Sequence, residues 1–287
     1  MEFVQYDVVD HVGVITLDRG DKANAQTTAF LEEIDRGWRA AAADPLVRVV
    51  LVQANGPHFS AGMDLDRMGA AAAEGPAPGA ALDQGSYYSV DSLHFFGNTL
   101  AWRNVPKPSI AAVQGKCVAA GLMLCWPCDL IIAADNAEFS DPTMRMGMAG
   151  IEYMAHVWEL GARKAKEMLF RSTPITAEEA RSLGMVNKVV PLAHLREEAM
   201  AWARDIAVLN PSMAAMVKRG VNAALDTQGF SATITHGFDL QELGFAFQAA
   251  VRRAGDDSSL GPDVLDRMRR TNAAIARRQR GQADGAG

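Results

Sequence analysis

The sequence predicts an α/β protein built from parallel βα layers. Three observations carry that prediction: short β-branched runs recur, segments of helical period separate them, and the composition can bury a large core. The chain has 287 residues, 49% of them hydrophobic and 22% charged, enough for one large core or a core with a small helical appendage. Val12-Gly13-Val14-Ile15-Thr16-Leu17 reads as the first strand. Gln26 to Ala43 carries Phe30, Leu31, Ile34 and Trp38 at three- and four-residue spacing, which predicts a helix packed on one face. Strands follow at Val47 to Val52, Ser109 to Val113 and Asp129 to Ala133. Strands that return after helical crossovers favour parallel pairing.

Gly69 to Gly85 is rich in Ala, Gly and Pro, and Gly75-Pro76-Ala77-Pro78-Gly79 blocks regular structure, so a mobile loop is expected there. From Glu159 onward the pattern is mostly helical, with Thr176-Ala177-Glu178-Glu179 as a capping box. Pro262 to Arg280 reads as an arginine-rich amphipathic helix, with a solvated face as the simpler expectation.

The formal net charge of −6 and pI near 5.5 give no general attraction to nucleic acid or an anionic membrane. An anionic ligand must then be held by local donors. The three cysteines lie close together, and Cys125-Trp126-Pro127-Cys128 has C-x-x-C spacing. No second Cys/His pair follows at zinc spacing and the flanks are apolar, so Cys117, Cys125 and Cys128 read as small hydrophobes. No dinucleotide fingerprint is present, and no metal or redox cofactor is implied. The start lacks a basic region followed by an apolar run, and no segment is apolar enough to span a bilayer. A cytoplasmic, reduced protein is the expectation.

Two loops carry the chemistry. His58-Phe59-Ser60-Ala61-Gly62-Met63-Asp64-Leu65 follows a strand, and its small residues let backbone approach a ligand closely. Gln114-Gly115-Lys116-Cys117-Val118-Ala119-Ala120-Gly121-Leu122-Met123 follows another strand and leads into an apolar helix. In both, N–H groups near a helix start can face a developing negative charge.

The pairing of Phe59 to Leu65 with Pro106-Lys107-Pro108-Ser109-Ile110-Ala111-Ala112-Val113-Gln114-Gly115 resembles the crotonase superfamily, the enoyl-CoA hydratase/isomerase family. Cys128 to Ala133 and Ala180-Arg181-Ser182-Leu183-Gly184-Met185-Val186-Asn187 fit the same likeness, which runs from about residue 3 to 255. The resemblance implies a crotonase-like spiral of repeated ββα units over residues 1–195, followed by a C-terminal helical trimerisation region over 196–287. It implies an acyl-CoA thioester as partner and a homotrimer or dimer of trimers, with CoA present only as part of the substrate. By that resemblance the N–H groups of Met63 and Ala120 form an oxyanion hole, in which one donor is worth about 3 kcal/mol. Lys22, Ala23, Ala61, Asp64 and Leu65 would then cradle CoA.

Related hydratases carry two glutamates that activate the added water, and neither is present. The first would fall two residues after Gly121, at Met123, and the second directly after Pro142, at Thr143. Methionine cannot move a proton, and a threonine hydroxyl is too weak an acid to replace a carboxylate near neutral pH. Some superfamily members place a catalytic carboxylate slightly downstream, where this chain has Glu152 between Ile151 and Tyr153. Apolar surroundings would raise its pKa, as a general acid/base requires. His156, one helical turn later, and Asp141 are candidate helpers, against the simpler roles of helix start for Glu152, core histidine for His156 and backbone ligand for Asp141. Tyr87, Tyr88 and His94 are expected to cover an acyl pocket, with Met123, Thr143 and Tyr153 lining it.

The reading is an acyl-CoA enzyme with hydratase-type lyase chemistry, hydration, double-bond shift and thioester or carbon–carbon hydrolysis all being open to this set of groups. A non-catalytic acyl-CoA binding protein and a carbon–carbon bond hydrolase of retro-Claisen type are the alternatives.

Overall fold

Strand runs that are apolar at every position must be covered on both faces, and the central sheet is built that way. The computed structural model of the chain describes residues 1–64, 88–253 and 268–277. In order, β1 (Val4–Val9) and β2 (Val12–Leu17) lead through α1 (Thr28–Ala43) to β3 (Val49–Ala54). A π-helical segment α2 (Asp91–Gly97) continues into α3 (Asn98–Arg103), then β4 (Ser109–Val113), β5 (Lys116–Val118), α4 (Leu122–Cys125), β6 (Leu130–Ala134) and β7 (Glu138–Ser140). Next come α5 (His156–Leu160), α6 (Ala162–Arg171), β8 (Ile175–Thr176), α7 (Ala177–Ser182) and β9 (Lys188–Val190). The last named helices are α8 (Leu195–Ala207), α9 (Pro211–Thr227) and α10 (Phe230–Arg253), and residues 268–277 are also helical.

Six strands form the main sheet in the order β1-β2-β3-β4-β6-β9, and β5-β7-β8 form a second. From β2 to β9 the main sheet is parallel, and only β1 runs antiparallel. Alternation splits each strand between two cores: Ile15, Leu17, Val50, Val52, Ala111 and Val113 face one side, whereas Val12, Val14, Val49, Leu51, Ile110 and Ala112 face the other. On the first side Phe30, Leu31, Ile34 and Trp38 of α1 are buried, as their spacing predicts. Trp38 stacks on Trp102 with centroids 6.1 Å apart. Thr27 caps this helix by accepting from the N–H of Phe30 at 3.2 Å.

The second face is covered by α8, whose Leu195, Ala199, Ala203 and Ala207 are buried against it. Small side chains let this helix lie close to the sheet. The expected division after residue 195 falls at its start, so α8 belongs to the core layers. Thr176 caps α7, its hydroxyl accepting from the N–H of Glu179, but the Glu179 carboxylate pairs with Lys164, so only half of the expected capping box is formed. The expected loop from Gly69 to Gly85 lies outside the described residues, as do residues 262–267 and 278–280 of the expected tail helix. No described helix is long and apolar enough to cross a membrane.

Candidate active site

The two small-residue loops meet, and their glycines are what permits it. Ser60 and Cys117 form a parallel bridge, with Val118 N–H donating to Ser60 O at 3.0 Å and Ser60 N–H to Lys116 O at 3.1 Å. Gly62 has φ +85°, and a Cβ there would stand 2.6 Å from Val118 O. A Cβ at Gly121 would stand 2.7 Å from Ser60 O. Each loop therefore needs a residue without a side chain where it meets the other.

On its other edge the first loop pairs with Gln26. Gln26 N–H donates to Gly62 O at 2.7 Å and Asp64 N–H donates to Gln26 O at 2.9 Å. Successive N–H groups in extended chain alternate in direction, so Met63 N–H turns away from Gln26. In the second loop Ala120 lies within the single turn Ala119–Gly121, whose leading N–H groups have no acceptor inside the turn. Ala119 holds φ 48°, a left-handed conformation costing an alanine about 1 kcal/mol. Gln26 ties the parts together, its amide donating to Ala120 O at 2.9 Å and Ser60 Oγ at 3.3 Å. Nothing in its local sequence marks Gln26, because its partners are far along the chain.

Met63 and Ala120 line one cavity of about 180 Å³ together with Ala61, Thr143, Ile151 and Glu152. Methionines 146, 148 and 268 add to the apolar wall. Met268 comes from the tail helix, which is also held by Arg145 donating to Asn272 Oδ1 at 2.9 Å. Part of the expected arginine-rich tail thus packs against the site.

Glu152 is 3% exposed, and burial, followed by the nearby Asp91, pushes its carboxyl up to about 8. Asp91, on α2, is pushed up to about 7 by burial and then by Glu242. Burial also raises Glu242, on α10. Three carboxyls from elements far apart in sequence thus share one region. Phe238 of α10 locks α2 against that helix, stacking on Phe96 with centroids 4.7 Å apart. Asp91 and Glu242 were not visible in the sequence, since neither belongs to a motif. Asp91→Asn removes one cause of the high Glu152 value, so the alkaline limb of any Glu152-dependent activity is expected to move to lower pH. A pH–rate profile checks this.

The expected helical turn from Glu152 to His156 is absent. Glu152 lies in an irregular segment, and α5 begins at His156 itself. His156 is fully buried and its Nε2 lies 3.0 Å from Asp141 Oδ2, so its partner is Asp141. Neither of these two atoms makes a hydrogen bond of good geometry, so the pair is a close contact between buried polar groups. Asp141 Oδ1 accepts from both the N–H and the hydroxyl of Thr143.

Other expected residues sit elsewhere. Met123 is buried in the core beside Leu122 and Leu124 and does not line the cavity. Tyr153 is likewise buried, edge-on to Phe230. His94 is half-buried on α2, outside the cavity lining, and Tyr88 packs on Phe238. Asp64 is committed to Arg19, 2.7 Å away, so its carboxylate braces the loop. Lys22 is exposed, while Ala23 O accepts from Ala61 N–H at 2.8 Å. Leu65 and Tyr87 lie outside the described residues.

The model of the enoyl-CoA hydratase/isomerase family matches residues 8–245, and the chain belongs to that family. "Putative enoyl-CoA hydratase EchA13" of Mycobacterium tuberculosis is 39% identical over 262 residues, covering 85% of this chain and 81% of the relative. The crystal structure of a "probable enoyl-CoA hydratase" from Mycobacterium thermoresistibile superposes with a TM-score of 0.81 at 47% identity, covering 88% of this chain and all of that one (100%). An enoyl-CoA hydratase/isomerase from Xanthobacter autotrophicus Py2 gives 0.78 at 30% identity, covering 96% of this chain and 98% of that one. The fold is therefore the crotonase fold with a C-terminal helical region.

Proposed function

We propose that this chain is an acyl-CoA enzyme of hydratase type, adding water across the double bond of a 2-enoyl thioester. The observation that carries the reading is that Met63, Ala120 and Glu152 line a single cavity. The thioester oxygen sits between the Met63 and Ala120 N–H groups, which hold the charge that collects there as the bond to C3 forms. At neutral pH a carboxyl raised to about 8 is protonated. Glu152 gives that proton to C2 from one oxygen and takes the water's proton at the other, so the carboxyl ends as it began. One group then serves where related hydratases use two.

The CoA portion lies along Ala61 and Ala23, where main chain pairs at the cavity's edge, with Lys22 exposed beside it. Assembly as a trimer, or a dimer of trimers, would cover Met213, Met216, Val217 and Val221 of α9, each more than half exposed. A non-catalytic acyl-CoA binding protein is the second reading. It is favoured by the burial of Met123 away from the cavity and by a threonine at the cavity wall where related hydratases have a carboxylate. A retro-Claisen hydrolase would use the same oxyanion donors.

Purified protein mixed with 2-enoyl-CoA thioesters of increasing chain length is expected to bleach the conjugated thioester absorbance. Saturable binding of every thioester with no bleaching would favour the carrier reading.

A further inference from the structure

An amide held by one end presents the other. Gln241, on α10, is 1% exposed and lines the cavity. Its Oε1 accepts from the N–H of Ala149 at 3.0 Å. A backbone N–H can only donate, so the atom facing it is the amide oxygen, and turning the amide over would set NH2 against N–H. The free end of Gln241 is therefore its NH2, which has no acceptor among the described residues. It shares the cavity wall with Met146, Met148, Ile151 and Met268, whose side chains offer no strong acceptor.

An unmatched donor in such a wall discriminates by penalty. A saturated chain lying against Gln241 strips water from the NH2 and returns nothing, whereas an oxygen on the chain takes the water's place. Resting on the acyl-CoA reading of the cavity, we propose that Gln241 Nε2 donates to a ketone oxygen carried by the acyl chain beyond C3, so that the cavity selects oxoacyl thioesters over plain alkyl ones. The first three carbons are already placed by the N–H groups of Met63 and Ala120 and by Glu152, which leaves Gln241 for the chain beyond them. A ketone has lone pairs and no proton, so it answers the donor without bringing one of its own. Glu152 lines the same cavity with Asp91 and Glu242 near it, so an anionic chain end would meet like charge.

Calorimetric titration of butyryl-CoA, hexanoyl-CoA, 4-oxohexanoyl-CoA and 5-oxohexanoyl-CoA tests this without turnover, since none carries a conjugated double bond. Wild type is expected to bind one of the oxo compounds about tenfold more tightly than hexanoyl-CoA. Gln241→Met, which keeps the length of the side chain and removes the donor, should bring that ratio close to one. It should do so with hexanoyl-CoA bound at least as tightly as in wild type, because the penalty on an alkyl chain has gone. A merely structural role, through the hold on Ala149, would weaken all the thioesters alike and leave the ratio unchanged. A wild-type protein that binds neither oxo compound more tightly than hexanoyl-CoA, or a Gln241→Met protein that keeps the wild-type ratio, would overturn the proposal alone, as would binding of butyryl-CoA with exclusion of every six-carbon chain. Failure of all four thioesters to bind would remove the acyl-CoA reading and this proposal with it.

Discussion

Glu152→Gln is expected to lower turnover of a 2-enoyl-CoA by at least about 100-fold, the usual scale for a positioned acid/base, with thioester binding retained. The amide has nearly the same shape, so packing around this buried position is kept. In wild type, activity is expected to fall as pH rises through about 8, where the carboxyl loses its proton. The stability consequence has the same origin. The unfolded chain releases this proton near pH ~4.3, and the folded protein near 8. The contribution is therefore fully present below the unfolded value and is lost as pH rises through the folded one. A glutamine has no proton to lose, so the melting temperature of Glu152→Gln relative to wild type should rise between pH 5 and 9. Thermal melts at several pH values read this directly, and parallel curves for the two proteins would contradict the buried, raised carboxyl. Unchanged turnover would remove Glu152 from the chemistry.

Gly62→Ala is expected to reduce turnover by about 100- to 1,000-fold, the scale for loss of one oxyanion donor. The new Cβ would lie 2.6 Å from Val118 O and 3.3 Å from Ala120 N, so the loops must part at the two N–H groups in question. A stability loss of about 1–3 kcal/mol accompanies the strained backbone and the clash. Gly184→Ala is the matched control, because Gly184 has φ +87° but nothing within 4 Å of the added carbon. It should pay the conformational cost while turnover survives. Equal activity of the two variants at a temperature where both are folded would show that loop separation does not matter to catalysis.

The parts of the fold legible in the sequence are those with long apolar patterns. β2 and β4 fall on the predicted residues, and α1 buries the predicted face. β3 and β6 are displaced by one or two residues, since burial on both faces leaves no alternation to fix their ends. β1 is mostly exposed, and β5, β7 and β8 have three residues or fewer, so little pattern announces them. At the site, the small residues of the two loops suggest close approach to a ligand; that Gly62 and Gly121 meet the opposite loop is set by long-range pairing, and the expected roles of Met63 and Ala120 rest on the family likeness. Glu152 stood out as a lone acid among apolar neighbours. Its environment did not, because Asp91 and Glu242 reach it from α2 and α10. The pairing of His156 with Asp141 is hidden for a local reason: helical spacing across 152–156 points His156 to Glu152, and the chain there is irregular until His156.

The most direct test of the account is the carbonyl stretch of butyryl-CoA, labelled with carbon-13 at the thioester carbonyl and bound to the protein. Two N–H donors on the oxygen should move the band to lower frequency than in water, and Gly62→Ala should return much of that shift. A bound thioester that absorbs at its frequency in water, or a shift untouched by Gly62→Ala, would contradict the assignment of Met63 and Ala120 as the oxyanion donors.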